Sequence, residues 1–155
     1  MAVQSRRSKL HRGTVFSIGY EGRDLDDFLD TLEGNRVKVL VDVRLTPISR
    51  KKGFSKTALS EGLARRGIEY RHAPALGNPK ENRAAFRGAA VRTGRRRFLA
   101  HLNNGSRHAY EEVIELARAQ RIALLCVERD DRQCHRGCIT DQAQEQHPAL
   151  SVQHL

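Results

Sequence analysis

The chain has 155 residues, 39% of them hydrophobic, enough for one domain with an apolar core of its own. Its 28 Lys and Arg outnumber 18 Asp and Glu, and the formal net charge of +10 attracts polyanions whatever the fold. No apolar run approaches the roughly 18 residues of a membrane span, and three cysteines, an odd number without an export signal, argue against a disulfide scaffold.

Residues 1–13 read as a flexible basic arm carrying Arg6, Arg7, Lys9 and Arg12, with no apolar signal core behind it, so a cytoplasmic protein is expected. Thr14 to Gly19 is a short β-branched run ending in Gly, which predicts a strand. Arg23 to Leu32 follows with Leu25, Phe28, Leu29 and Leu32 at helical spacing, and Asp24 is placed to cap it. Val37 to Val43 is a nearly continuous Val/Leu run, as in a strand buried on both faces, and Pro47 must lie beyond it. Lys56 to Arg66 predicts a helix ended by Gly67.

Ile68 to His72 reads as a short strand and 73–79 as a loop. Glu81 to Arg92 and Arg96 to Asn103 are helical but poorly periodic. Tyr110 to Gln120 predicts a clear amphipathic helix. Arg121 to Val127 predicts another buried strand, and Gln133 to Gln146 a final helix closed by Pro148. No repeat or linker divides the chain, so 14–148 is expected to be a single α/β domain and 149–155 a C-terminal tail. The alternation of strands and helices predicts a mostly parallel sheet of about four or more strands flanked by helices, Rossmann-like and in three layers.

Ligands of such sheets bind outside the carboxyl ends of the strands. Polar residues gather there from distant positions. Asp42 and Arg44 lie two apart at the end of an apolar strand, where a charge needs a partner: an ion pair within the fold or a role in chemistry. Cys126 and Glu128 repeat the pattern after the last strand. Cys134, His135 and Arg136 stand where the final helix begins, a location that favours anions and lowers a thiol pKa; alternatively Cys134 and Cys138 merely pack one helix face. The candidate catalytic residues are thus Asp42, Glu128, Cys134 and His135.

Two motifs carry less weight. Cys126 and Arg132 have the spacing of a tyrosine-phosphatase loop, but three carboxylates and no glycine lie between them, and these would repel a phosphate. Cys126, Cys134, His135 and Cys138 have zinc-ligand chemistry. Their spacing is unlike a finger or ribbon, however, and adjacent helical residues diverge by about 100°. No metal and no cofactor is expected, and the cysteines are expected to be reduced.

Several ordered segments resemble the family known as domain of unknown function 488. They are Ser17-Ile-Gly-Tyr-Glu-Gly22; Asp42-Val-Arg44 with Pro47 and Ser49-Arg50; Gly53-Phe-Ser55; Ile68-Glu-Tyr70 with Leu76-Gly-Asn78; and Leu124-Leu-Cys-Val-Glu128 with Cys134-His-Arg136. The resemblance spans roughly residues 14 to 145 and implies a cytosolic α/β domain without an assigned activity. It adds Tyr20, Ser49, Arg50 and Tyr70 to Arg44 and Arg136 as candidate anion- or substrate-binding residues. The stretch from Arg83 to Arg97 lies outside the motifs.

Three functions fit these residues. The first is binding or processing of nucleic acid or another polyanion, through the overall charge. The second is an enzyme acting on a small anionic ligand, with carboxylate acid/base chemistry, arginine clamps and a cysteine nucleophile. The third is an interaction module whose polar cluster only stabilises the fold. The basic arm (Arg6, Arg7, Lys9, Arg12) and the Arg83–Arg97 stretch are expected to supply general polyanion affinity, and Arg44 and Arg136 to serve the pocket.

Overall fold

The computed structural model describes residues 13–155, so the basic-arm residues Arg6, Arg7, Lys9 and Arg12 lie outside it. Five strands form one parallel sheet: β1 (Thr14–Gly19), β2 (Val39–Asp42), β3 (Glu69–His72), β4 (Ile122–Cys126) and β5 (Ser151–His154). Their order across the sheet is β3-β2-β4-β1-β5. Five helices flank it: α1 (Leu25–Gly34), α2 (Lys56–Arg65), α3 (Val91–Asn103), α4 (Arg107–Ala119) and α5 (His135–Gln146).

The layers follow from strand alternation. Leu40 of β2 and Ala123 and Leu125 of β4 point to one face, where Phe28, Leu29 and Leu32 of α1 and Leu59 and Leu63 of α2 bury them. Val39 and Val41, with Ile122, Leu124 and Cys126, point to the other. There they meet Phe98 and Leu102 of α3, Val113, Ile114 and Ala117 of α4, and Ile139 and Ala143 of α5. Central β4 is buried along its whole length, as its uninterrupted apolar sequence requires. The fold is therefore a three-layer α/β domain, as the alternating pattern predicts.

Local signals place most element ends. Asp24 caps α1, its Oδ1 accepting from the Asp27 N–H at 2.8 Å. Residues 80–103 depart from the expectation of two helices. Short 3₁₀ turns, Lys80–Asn82 and Ala84–Arg87, precede a single unbroken α3. Buried Asn82 explains the break: its Nδ2 donates to the Gly94 carbonyl at 2.9 Å and to Asn78 Oδ1 at 3.1 Å, tying the turns to α3 instead of extending a helix.

The segment after Pro148 is not a tail. Ser151–His154 adds the edge strand β5 beside β1, with Thr14 opposite Ser151, and Leu150 is buried just before it. An edge strand exposed along most of its length needs no apolar alternation, so its sequence carries none.

Candidate functional site

The carboxyl ends of β2 and β4 are neighbours, with Asp42 in register with Leu125. Asp42 thus points to the α1–α2 face, whereas Cys126, the next residue of β4, points to the α3–α5 face. The polar residues expected to form one cluster are divided by the sheet into two groups along one edge.

On the α1–α2 side, Asp42 is fully buried and its carboxylate is saturated. Arg44 grips it bidentately, Nε to Oδ1 at 2.9 Å and Nη2 to Oδ2 at 2.7 Å. The Arg44 backbone N–H adds a bond at 3.1 Å, and the Tyr70 hydroxyl donates to Oδ2 at 2.6 Å. Arg44 Nη1 donates to the Phe54 carbonyl at 2.6 Å, and its guanidinium lies over the Tyr20 ring, itself stacked on Phe54. Burial alone would lower the Arg44 pKa, but the bonds and charge of Asp42 outweigh it and raise it. Burial and the neighbouring carboxylate push the Tyr70 phenol up, so it stays a donor. Ser49 organises the 46–55 loop, its N–H donating to Ser55 Oγ and its Oγ accepting from the Lys51 N–H; Arg50 is exposed beside it. Every polar atom of Asp42 is spent within the fold, which leaves it poorly placed as a general base.

The α3–α5 side is built differently. After β4 the chain turns through Asp131–Gln133 and doubles back, so that Cys134, the cap of α5, lies over the end of the strand. The close return requires glycine at two points: a Cβ on Gly19 would overlap the Glu128 carbonyl, and one on Gly137 the Asp131 carbonyl. Buried Arg136 holds the loop, donating to Ser17 Oγ, to the Glu128 carbonyl at 2.7 Å and to the Arg129 carbonyl at 3.1 Å. Its burial lowers its pKa, opposed by Asp131, Glu128 and Asp130. These bonds bind Arg136 to the fold; it does not line the adjoining cleft, contrary to the expected role as an anion clamp.

The same return joins Cys126 to Cys134 in a disulfide, which overturns the expectation of reduced thiols. An odd cysteine count says nothing of a loop that brings two cysteines eight residues apart face to face. Cys138 remains a free, buried thiol, pushed up to about 11 by burial, with nearby Arg95 partly offsetting it. Glu128 is half-buried, its Oε2 at 3.1 Å from Cys126 Sγ. His135 packs edge-on against Phe98, and its Nε2 lies 2.8 Å from the Val43 carbonyl. A carbonyl only accepts, so Nε2 carries the hydrogen and Nδ1 is left with a lone pair 3.6 Å from Cys134 Sγ. Burial, reinforced by the charges of Arg136 and Arg83, lowers the His135 pKa to about 4 and keeps the ring neutral.

Cys126, Glu128, Cys134 and His135 line a cleft of about 230 Å³ whose far wall carries Arg83, Phe86 and Arg87. Asn78 and Arg44 are also among the residues that line it. Among the described residues lining it, Glu128 is the sole carboxylate. Sequence reasoning missed Arg83 and Arg87 as site residues, because the stretch around them is poorly periodic. The signal present was the spacing of Arg83, Phe86 and Arg87: one buried aromatic flanked by two exposed guanidiniums on the same turn.

Comparison with curated proteins and with solved structures finds no match. The family model described as "Domain of unknown function DUF488" matches residues 24–143, a span that holds Asp42, Arg44, Tyr70, the cleft wall and the Cys126–Arg136 return but not Ser17, Tyr20, β1 or β5. A match over that much of the chain, carrying the Asp42–Arg44 pair and the Cys126–Arg136 return together, makes this protein a member of the DUF488 family.

Proposed function

We propose that the protein takes a small anionic molecule, bearing a phosphate or carboxylate, in the cleft at the ends of β2 and β4, and that Glu128 exchanges protons with it. One observation carries this: Arg83 and Arg87 face the cleft with no ion-pair partner among the described residues, against a single carboxylate in its lining. Arg44 contributes little, since Asp42 already neutralises it. Asp42 is left out of the chemistry for the same reason. Glu128 is half-exposed and free of any salt bridge among the described residues, so it is the group in reach of a bound molecule. The cleft also lies where ligands of parallel sheets bind.

Calorimetric titration with inorganic phosphate and with small phosphate esters or carboxylates tests the assignment. Arg83→Ala and Arg87→Ala should each weaken a binding anion by roughly tenfold or more, the strength of a charge-assisted hydrogen bond. An absence of saturable binding by the wild-type chain, or equal affinities for all three proteins, would overturn it.

A second reading, binding of nucleic acid, is favoured by a separate observation. Arg92, Arg96 and Arg97 of α3 are exposed and have no acidic partner among the described residues, whereas Arg95 pairs with Asp141 at 2.6 Å. Binding of a short DNA duplex titrated with salt tests it.

A further inference from the structure

The floor of the cleft holds a group of atoms that anion binding leaves unused. Cys126 ends β4, Cys134 caps α5 and His135 opens it, all three are buried, and their ligand atoms lie within 4.8 Å of one another. Sulfur and imidazole nitrogen are the donors that zinc-like ions prefer. Spacing on a helix would have splayed Cys134 from His135, but Cys134 is not helical. It is an extended cap at φ −139° and ψ 145°, and this lets its sulfur approach the neighbouring ring.

The imidazole is already oriented as a ligand. Its Nε2–H is committed to the Val43 carbonyl, which fixes the tautomer and turns the Nδ1 lone pair toward Cys134 Sγ. A ring N–H held by a backbone carbonyl is the usual outer support of a metal-bound histidine. Phe98 packs against the ring at 5.1 Å between centroids and limits its rotation.

We propose that, once the Cys126–Cys134 bond is reduced, Cys126 Sγ, Cys134 Sγ and His135 Nδ1 bind one divalent transition ion of the zinc type, its fourth position open to the cleft. A dithiol reductant supplies two electrons and two protons, becoming a cyclic disulfide, and leaves two thiols. The ion then displaces both thiol protons to solvent. The disulfide and the metal exclude each other, since a bonded sulfur pair has no thiolate to offer. The open position faces Arg83 and Arg87, so the proposal rests on the anion-site reading for what meets the ion but not for the ion itself.

The experiment uses the full chain, reduced by a dithiol that is then removed under anaerobic conditions, and titrated with Co²⁺ and Zn²⁺. One equivalent of Co²⁺ should give a thiolate-to-cobalt charge-transfer band and tetrahedral visible bands, and Zn²⁺ should bleach both. The oxidised chain should give neither. Cys134→Ser and His135→Gln should each weaken Co²⁺ binding by at least about tenfold, with circular dichroism to confirm that they fold. Cys138→Ser should bind as wild type. Failure of the reduced wild-type chain to give the bands overturns the proposal, and so does loss of binding in Cys138→Ser with retention in the folded Cys134→Ser or His135→Gln variants. Phosphate titration of the oxidised, metal-free chain keeps the two readings apart. Phosphate binding without a cobalt spectrum sinks only the metal site, and a cobalt spectrum without anion affinity sinks only the anion site.

Discussion

Asp42 and Cys126 stand on adjacent strands at the carboxyl edge of the sheet and face opposite ways, and the Asp42 carboxylate is committed to Arg44 and Tyr70 within the fold. For Asp42 the consequence is a structural role. Asp42→Asn leaves the Arg44 guanidinium buried without a counter-charge, and urea unfolding should show a loss of about 3–5 kcal/mol. Tyr70→Phe removes one of several donors to the same carboxylate and should cost only about 1 kcal/mol. Equal effects of the two would mean that Asp42 is not the hub of its group. Cys138 tests the opposite face. Its buried thiol, held near 11, should resist iodoacetamide at pH 8 in the native protein and react fully in denaturant, as mass spectrometry would show. Rapid native labelling would mean that α5 opens.

At the scale of elements, much of the architecture was legible because buried strands and amphipathic helices write their burial into the chain. The run around Val39–Asp42, the cap Asp24 and the face of α4 follow from spacing alone. Strand β5 was not, because its exposed residues carry no alternation. It contributes through pairing with β1 and through the burial of Leu150. Removing residues 149–155 should therefore cost at least the roughly 1.5–3 kcal/mol of one buried leucine and speed amide exchange along β1, measured by hydrogen exchange. An unchanged unfolding midpoint would make β5 dispensable. The site was half legible for a related reason. Sequence places residues at a strand end, and alternation tells which share a face within one strand. Which faces of separate strands coincide depends on register, and neither the register of β2 against β4 nor the return of 127–134 is written locally.

For the whole molecule the unequal placement of charge matters more than its sum. Arg44 and Arg136 are consumed inside the fold and Arg95 is paired, whereas Arg92, Arg96 and Arg97 of α3 are exposed and carry no ion pair among the described residues, so they are one place where charge is left for a polyanion. Replacing Arg92, Arg96 and Arg97 by Ala should weaken binding to a DNA duplex and flatten its dependence on log salt by about 0.9 for each phosphate no longer neutralised. Arg83→Ala should leave that slope nearly as it is and act on small anions instead. Identical slopes for wild type and the triple variant would remove α3 from any role in holding nucleic acid.

The strand order has a further consequence, for the time course of folding. β1 and β2 are separated in space by β4, which is encoded near the far end of the chain: Val15 and Val39 both wait for Ile122. Only β2 and β3 join early, through the local α2 crossover. Pairings this distant in sequence are slow to close. On the ribosome, the emerging amino-terminal half therefore carries one unpaired apolar strand and one open edge until residue 126 is clear of the exit tunnel. The interval between making β2 and making β4 is when this chain most needs protection from its neighbours.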